Sequence, residues 1–186
     1  MPRVLFVENH CSFTWNLIDA LPVSRADLRV CNAPEAEALS SQYDVLVLGP
    51  GPTDPVRAGL VQLAHNAAIR GMPVLGVCLG HQALGLAFGA QLTRGAPMHG
   101  KVRAATFERA RLLPGIEGAH DVMRYHSLRL EHVVPPLRVV ARCEDGAVMA
   151  VEHESLPVLG LQFHPDSYAT PHGARMLSAF FEAFRS

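Results

Sequence analysis

Residues 73–82 read Pro73-Val-Leu-Gly-Val-Cys78-Leu-Gly80-His-Gln82, which combines an apolar run, a cysteine and two closely spaced glycines. The run Pro73–Val77 predicts a buried strand, and Leu79–Phe88 predicts a helix directly after it. A cysteine flanked in the pattern G-x-nucleophile-x-G is typical of a sharp strand-to-helix turn, where bulky side chains would clash. The turn exposes the cysteine at the carboxyl end of a strand, where open α/β sheets place their sites.

Cys78 is therefore a candidate nucleophile. The N-terminus of the following helix favours a thiolate, because its free N–H groups and its dipole stabilise negative charge. The Leu79 N–H is a candidate donor to an oxyanion. The alternative interpretation is a buried cysteine in an apolar strand, which is common in proteins. The two glycines and the nearby Gln82 favour the nucleophile.

A cysteine nucleophile needs a base, and the base needs an orienting group. His164, one of ten histidines, follows the apolar run Val158–Phe163 and so also lies at a predicted strand end. Asp166 comes two residues later, and in an extended segment residues i and i+2 point to the same side. The pattern predicts a triad of Cys78, His164 and Asp166. The alternative is a loop histidine near a solvated aspartate.

The rest of the first half alternates strands and helices. Strands are predicted at Val4–Val7, Leu28–Cys31 and Asp44–Leu48. Helices are predicted after an N-cap at Ser12 (with Leu17, Ile18 and Leu21), at Pro34–Ser41, and at Val56–Arg70 with Leu60, Leu63, Ala64 and Ala67 on one face. This alternation predicts an α/β fold of three layers, with a mainly parallel sheet covered by helices on both faces.

The second half predicts antiparallel additions to that sheet. Its apolar runs are Val102–Phe107, Leu137–Arg142, Ala147–Glu152 and Val158–Phe163. A last helix is predicted, with Thr170 as N-cap, Pro171 at the first position, and an apolar stripe of Met176, Leu177, Phe180, Phe181 and Phe184.

Composition limits the classes of function. A length of 186 residues, with 49% apolar and 18% charged residues, predicts a single domain over residues 1–186. The net charge of −1 gives no field that would favour nucleic acid or a membrane surface. The four cysteines lie far apart, so neither a disulfide framework nor a thiolate zinc site is predicted, and a reducing cytoplasm fits. The apolar stretch 73–92 is interrupted by His81, Gln82 and glycines, so a strand–turn–helix is preferred to a membrane span. Glu152-His153-Glu154 is interpreted as a solvated strand end rather than a metal site.

The segments around Cys78 and His164 together resemble class I glutamine amidotransferases of the triad type. The quoted pieces are Gly-Val-Cys78-Leu-Gly-His-Gln82 and Gly-Leu-Gln-Phe-His164-Pro-Asp166-Ser. Four further segments resemble the glutaminase subunits of anthranilate synthase and aminodeoxychorismate synthase, in the same order and spacing. They are Ser12-Phe-Thr-Trp-Asn16-Leu, Gly49-Pro-Gly51-Pro, Met98-His-Gly-Lys101 and Arg124-Tyr-His-Ser127-Leu128.

The resemblance implies that the chain hydrolyses L-glutamine through a thioester on Cys78 and delivers ammonia to a chorismate-binding synthase subunit. It implies an oxyanion hole at the N–H groups of Gly51 and Leu79. It also implies a glutamine site formed by Gly51, Pro52, Gln82, Ser127 and Leu128. No cofactor is expected in this chain, and Mg²⁺ is expected on the synthase partner. His99 and Lys101 are predicted loop residues near the partner surface, and His81 a packed residue rather than a second base.

Three positions depart from the family's usual pattern: Asp166 replaces Glu, Thr53 replaces Gly, and Cys11 replaces Asp. Because threonine does not readily adopt φ > 0, the loop near the glutamine is expected to differ in conformation from the loop that is usual in the family. Four alternatives remain open at this stage. The product can be anthranilate, the 4-aminobenzoate precursor or a relative. The chain can be a stand-alone γ-glutamyl or cysteine hydrolase of the same fold, a catalytically silent regulatory subunit, or a metal-binding module.

Overall fold

The fold is described from a computed structural model for residues 2–95, 97–98 and 100–184, so His99 lies outside the described residues. The strands are β1 Val4–Val7, β2 Leu28–Cys31, β3 Val45–Leu48, β4 Val74–Val77, β5 Gln91–Arg94, β6 Lys101–Phe107, β7 Gly118–Arg124, β8 Leu128–Glu131, β9 Leu137–Cys143, β10 Val148–His153 and β11 Val158–Leu161. The α-helices are α1 Thr14–Ala20, α2 Ala33–Leu39, α3 Leu60–Ile69, α4 Leu79–Ala87 and α5 Gly173–Ala183.

One nine-stranded sheet has the order β2-β1-β3-β4-β11-β10-β9-β6-β7. Its first five strands pair in parallel, and the remaining strands extend it by antiparallel pairing. Strands β5 and β8 form a separate antiparallel pair. Every residue of β1, β3, β4 and β11 is buried, as expected for Val- and Leu-rich strands covered on both faces. The predicted fold class is confirmed.

Helices form the two outer layers. The apolar side chains of α1 and α5 share one core with one face of the sheet, and those of α2, α3 and α4 share a second core on the other face. The predicted stripe of α5 is buried from Met176 to Phe181, with Phe184 half-buried. The predicted apolar face of α3 is buried as well. The stretch 73–92 forms β4, α4 and the start of β5, and no helix among the described residues is both long and apolar enough to cross a membrane.

Three predicted helix starts are wrong. The residue before α1 is Phe13, not Ser12, and no side chain caps the helix. Helix α5 begins at Gly173, with His172 at the N-cap position, so Thr170 and Pro171 lie outside it. Helix α3 begins at Leu60, because Gly59 with φ of 71° ends the preceding turn. Lys101 opens strand β6 instead of lying in a loop.

Candidate active site

Cys78 occupies the turn between β4 and α4 with φ of 53° and ψ of −98°, a conformation that L-residues rarely adopt. A Cβ on Gly76 would overlap the Gly80 carbonyl, and a Cβ on Gly80 would overlap the Leu48 carbonyl. Both glycines are therefore needed for the close approach of β4, α4 and β3. The predicted reason for the glycine pattern is confirmed.

His164 and Asp166 come together beside this turn. The distance from His164 Nδ1 to Asp166 Oδ1 is 3.5 Å, and both side chains are almost completely buried. The segment is not extended as predicted, because the Ser167 N–H donates to the His164 carbonyl at 3.3 Å and closes a turn. The two side chains meet across this turn. They lie at ion-pair distance without the alignment of a hydrogen bond.

The surroundings of His164 favour its protonated form. Burial lowers the pKa of this imidazole, but the Asp166 carboxylate and the Cys78 thiol outweigh burial and raise the pKa to about 9. The rings of Phe13 and Tyr125 pack edge-on against the imidazole, with centroids 5.3 and 5.4 Å away. These contacts fix the plane of the ring. An imidazolium held in place next to a thiol is the arrangement that activates a cysteine nucleophile.

Two adjoining cavities meet at Cys78. One, of about 170 Å³, is lined by His10, Cys11, Ser12, Phe13, Pro50, Gly51, Pro52, Cys78, Tyr125 and His164. The other, of about 230 Å³, is lined by Gly51, Pro52, Thr53, Cys78, Gln82, Tyr125, His126, Ser127 and Leu128. Every residue predicted to bind glutamine lines the second cavity, which we call the glutamine cleft. The structure therefore brings together the residues that the sequence placed far apart.

Gly51 and Leu79, the two residues predicted to supply oxyanion donors, pack against each other. Leu79 is the first residue of α4, so its N–H has no acceptor within the helix. Gly51 packs tightly here, since a Cβ on it would lie 2.7 Å from Leu79 Cδ2 and 2.7 Å from Asn9 Cβ. The Asn9 side chain in turn donates to the Gly49 carbonyl at 3.1 Å. The loop that carries Gly51 is thus fixed against the start of α4.

Gln162 is a site residue that the sequence analysis missed. It is fully buried, and its Nε2 donates to Cys78 Sγ at 3.8 Å. Its Oε1 accepts from Gln82 Nε2 at 3.3 Å, and Gln82 Nε2 also reaches the Leu128 carbonyl at 3.2 Å. The available signal was a polar residue in an apolar run, two positions before the candidate base.

Thr170 has a different function from the predicted helix cap. Its hydroxyl donates to the His164 carbonyl at 2.8 Å and accepts from the Met123 N–H at 3.0 Å. The His164 N–H donates to the Met123 carbonyl at 3.0 Å. Thr170 therefore ties the backbone of the candidate base to strand β7.

The departures from the family pattern surround the site without disrupting it. Thr53 lies on the rim of the glutamine cleft and does not adopt a positive φ. Cys11 lines the other cavity, and burial raises the pKa of its thiol.

His81 is fully buried against Gly160, and burial lowers its pKa to about 3, so it is a neutral packing residue.

The interpretation of residues 152–154 as a solvated strand end is wrong for Glu152 and His153, whereas Glu154 is exposed just after β10. Glu152 and His153 are buried, and Glu152 accepts hydrogen bonds from the Arg138 side chain and from the Arg111 and Leu112 N–H groups. Its carboxylate thus satisfies donors of a neighbouring loop. Across the described residues, no group of three or more histidine, cysteine or acidic side chains is placed to hold a metal ion.

The Cys78 turn, the His164–Asp166 pair and the two adjoining cavities form a candidate cysteine-nucleophile site on an α/β sheet. The family model for glutamine amidotransferase class-I matches residues 5–184, and the chain belongs to this family. It is 39% identical to anthranilate synthase component 2 of Azospirillum brasilense, over 98% of this chain and 96% of that protein. It is 35% identical to aminodeoxychorismate/anthranilate synthase component 2 of Bacillus subtilis, over 98% of this chain and 97% of that protein.

A solved structure has the same fold. The glutamine amidotransferase of Thermotoga maritima superposes with a TM-score of 0.72 at 19% identity, over 98% of this chain and 82% of that one. The predicted family, fold and enzyme class, a glutamine amidotransferase, are confirmed by these relatives.

Proposed function

We propose that this chain is the glutaminase subunit of a chorismate-using synthase, with Cys78 as nucleophile, His164 as base and Asp166 as its orienting acid. The observation that carries the proposal is that Cys78 lines both cavities, that His164 lines the first of them, and that Asp166 lies 3.5 Å from His164. The synthase partner is proposed because the curated relatives are named as components of anthranilate and aminodeoxychorismate synthases. The product depends on the partner, which does that chemistry.

The proposed reaction has two halves that share one base. The Cys78 thiolate attacks the side-chain amide carbon of glutamine, and the His164 imidazolium gives its proton to the leaving ammonia. Water then attacks the thioester with His164 as base, which releases glutamate and restores the thiol. The N–H groups of Gly51 and Leu79 would hold the oxyanion, and losing one such donor typically costs about 3–4 kcal/mol.

The amino acid end of glutamine is proposed to lie at the far side of the cleft from Cys78. Gln82, Ser127 and Leu128 line the cleft, and the Gln82 amide is itself held by the Leu128 carbonyl. Thr53 also lines the cleft and would be within reach of this end of the substrate. Such fixed polar groups bind the substrate in one orientation relative to the thiol.

No cofactor is proposed for this chain, since a thiolate and an imidazole supply the whole reaction. Any Mg²⁺ is assigned to the synthase partner. All four cysteines are free in the structure, and we propose that the chain works in the reducing cytoplasm, where the Cys78 thiol stays reduced.

Substitution of Cys78 by alanine tests the proposal. In a complex with the synthase partner, Cys78→Ala is expected to abolish glutamine-dependent product formation and to leave ammonia-dependent formation unchanged, because Cys78 generates ammonia without consuming it. An electrophilic glutamine analogue should label Cys78 in the wild type and none of the other cysteines. Cys31→Ala, a substitution at a buried cysteine of the edge strand β2, is the control and should keep both activities. Normal glutamine-dependent turnover by Cys78→Ala would refute the assignment.

A further inference from the structure

A buried arginine lies just behind the glutamine cleft. The Arg124 side chain is 2% exposed at the end of β7. Its Nη1 donates to Asp145 Oδ2 at 2.9 Å, and its Nε donates to His126 Nε2 at 3.1 Å. Burial of a guanidinium carries a large desolvation cost, and an apolar residue of similar volume often stabilises a fold at least as well. Fold stability alone therefore does not explain why an arginine is buried at position 124.

The contacts of His126 define its tautomer. A guanidinium only donates hydrogen bonds, so Nε2 of His126 is the acceptor and the proton is on Nδ1. Nδ1 then donates to the Leu128 carbonyl at 2.9 Å. Burial, followed by the charge of Arg124, lowers the pKa of His126 to about 4, so the ring stays neutral around pH 7. Arg124 thereby fixes a donor that points at the wall of the glutamine cleft.

The Leu128 carbonyl has a second donor on its other side. Gln82 Nε2 donates to it at 3.2 Å and to Gln162 Oε1 at 3.3 Å, and Gln162 reaches Cys78 Sγ. The carbonyl that His126 holds is thus also the anchor of Gln82. A shift of this carbonyl would displace both walls of the cleft at the end that receives the amino acid part of the substrate.

We propose that Arg124 and His126 are positioning residues that hold the Ser127–Leu128 backbone and, through it, Gln82 in the geometry that binds glutamine. This inference rests on the proposed function. His126 is 6% exposed, and Asp145, which anchors the outer end of Arg124, has a side chain 39% exposed. Asp145, Arg124 and His126 therefore form a chain of hydrogen bonds from the surface to the Leu128 carbonyl in the cleft. In each of these bonds the donor and the acceptor are fixed.

The test separates substrate binding from the chemical step. His126→Leu removes both hydrogen bonds and is expected to raise KM for glutamine by about 10-fold or more, with kcat changed by about 3-fold or less. His126→Asn keeps a short amide donor toward Leu128 and should recover part of the affinity. Binding of L-glutamine, measured by calorimetry in a Cys78→Ser background, should weaken in parallel. Arg103→Gln, an exposed substitution on the neighbouring β6, is the matched control and should leave KM unchanged.

The outcomes distinguish the two proposals. A wild-type complex without glutaminase activity would refute the proposed function itself. An active wild type whose KM and glutamine binding are unchanged in folded His126→Leu would refute only the positioning inference. A His126→Leu variant with lower thermal stability, in which kcat falls as much as glutamine binding and His126→Asn restores neither, would also refute the inference. That result would show a purely structural role. If His126→Leu does not fold, Asp145→Asn tests the inference instead, because it removes the ion pair that holds the outer end of Arg124. A KM increase of about 2–5-fold is then expected, and no increase would overturn the inference.

Discussion

The backbone of Cys78 adopts a conformation that costs on the order of 1–3 kcal/mol for a residue other than glycine. Two hydrogen bonds hold it: the Cys78 N–H donates to the Leu161 carbonyl at 2.7 Å, and the Gln82 N–H donates to the Cys78 carbonyl at 3.1 Å. The first belongs to the join between β4 and β11, and the second to the first turn of α4. The strain is thus maintained by regular structure on both sides, which keeps the thiol at the mouth of both cavities.

The length of the acidic side chain at position 166 is open to test. The 3.5 Å separation between His164 Nδ1 and Asp166 Oδ1 exceeds the usual hydrogen-bond range, and one more methylene can close it. Asp166→Glu is therefore expected to keep or raise glutaminase kcat. His164→Ala should lower kcat by on the order of 10²–10⁴. Asp166→Ala should lower it less, since it only orients the base.

The measurement is steady-state glutamate release by each variant in the assembled complex, with circular dichroism to confirm folding. Complete loss of activity in a folded Asp166→Glu would mean that the buried site has adapted to the shorter acid. Asp166→Ala as damaging as His164→Ala would assign the acid a role beyond orientation.

The protonation of His164 gives a pH-dependent signature. Its pKa is raised to about 9, above the ordinary value of 6.5, so an NMR titration of the imidazole should show a midpoint near pH 9. The proton on His164 then stabilises the folded state fully below about pH 6.5, and that contribution is lost as the pH rises through about 9. Asp166→Asn should lower the midpoint because it removes one of the groups that raise the pKa. An unchanged midpoint would contradict the ion-pair assignment.

The elements of the parallel half could be predicted because each signal is local. Strands β1, β3, β4 and β11 are short apolar runs between turn residues. Their observed bounds agree with the bounds predicted from the sequence to within two residues. Strands β5, β7 and β8 were missed. Their sequences, QLTR, GAHDVMR and LRLE, carry exposed or half-exposed polar residues, and they are strands because of distant pairing partners. Such long-range pairing leaves no periodic pattern for the sequence to show.

The site divides in the same way. The candidate nucleophile Cys78 directly follows β4, and the candidate base His164 lies three residues after β11, so an elbow pattern and a strand end were enough to single them out. Gln162, Thr170 and Arg124 act through contacts between residues 40 or more positions apart or through buried polar networks, which depend on the assembled sheet. Thr170 also carried a misleading local signal, because Thr-Pro is typical of a helix start.

Helix α5 supports the base segment through one close contact. A Cβ on Gly173 would overlap the Pro165 carbonyl, which lies between His164 and Asp166. Helix propensity alone predicts that Gly173→Ala stabilises the chain by about 1 kcal/mol. The backbone clash outweighs this gain, and overpacking typically costs about 1–3 kcal/mol. We expect a lower free energy of unfolding in urea and a lower glutaminase kcat.

The control is the neighbouring exposed residue of the same helix. Ala174→Gly makes the opposite change and should cost about 1 kcal/mol of stability through helix propensity, with kcat unchanged. If Gly173→Ala raised stability and left kcat intact, the contact with Pro165 would not position the base.

At the scale of the whole molecule, both halves of the chain line the site: residues from the parallel half and the segment that joins β7 to β8. Strand β7 ends at Arg124, residues 125–127 connect it to β8, and residues 125–128 line the glutamine cleft. Two backbone hydrogen bonds hold these residues, since the Gly95 N–H donates to the Ser127 carbonyl at 2.8 Å and the Met98 N–H donates to the His126 carbonyl at 3.0 Å. A partner that contacts Gly95 or Met98 would therefore be one backbone hydrogen bond away from residues that line the cleft.

This arrangement predicts gating by the synthase partner. Ammonia released into water near pH 7 is mostly protonated and is a poor nucleophile, so glutamine hydrolysis is useful only when an acceptor is in place. The isolated chain is expected to release glutamate slowly, faster with the synthase partner, and faster still with chorismate. The physical route would be movement of residues 125–128, or of the Gly51 and Leu79 N–H groups, when the partner contacts the Met98–Lys101 segment. The measurement is steady-state glutamate release by the chain alone and with each candidate synthase protein, with and without chorismate. Full activity of the isolated chain, unchanged by any chorismate-binding partner, would refute the partner-dependent role and indicate a hydrolase that acts alone.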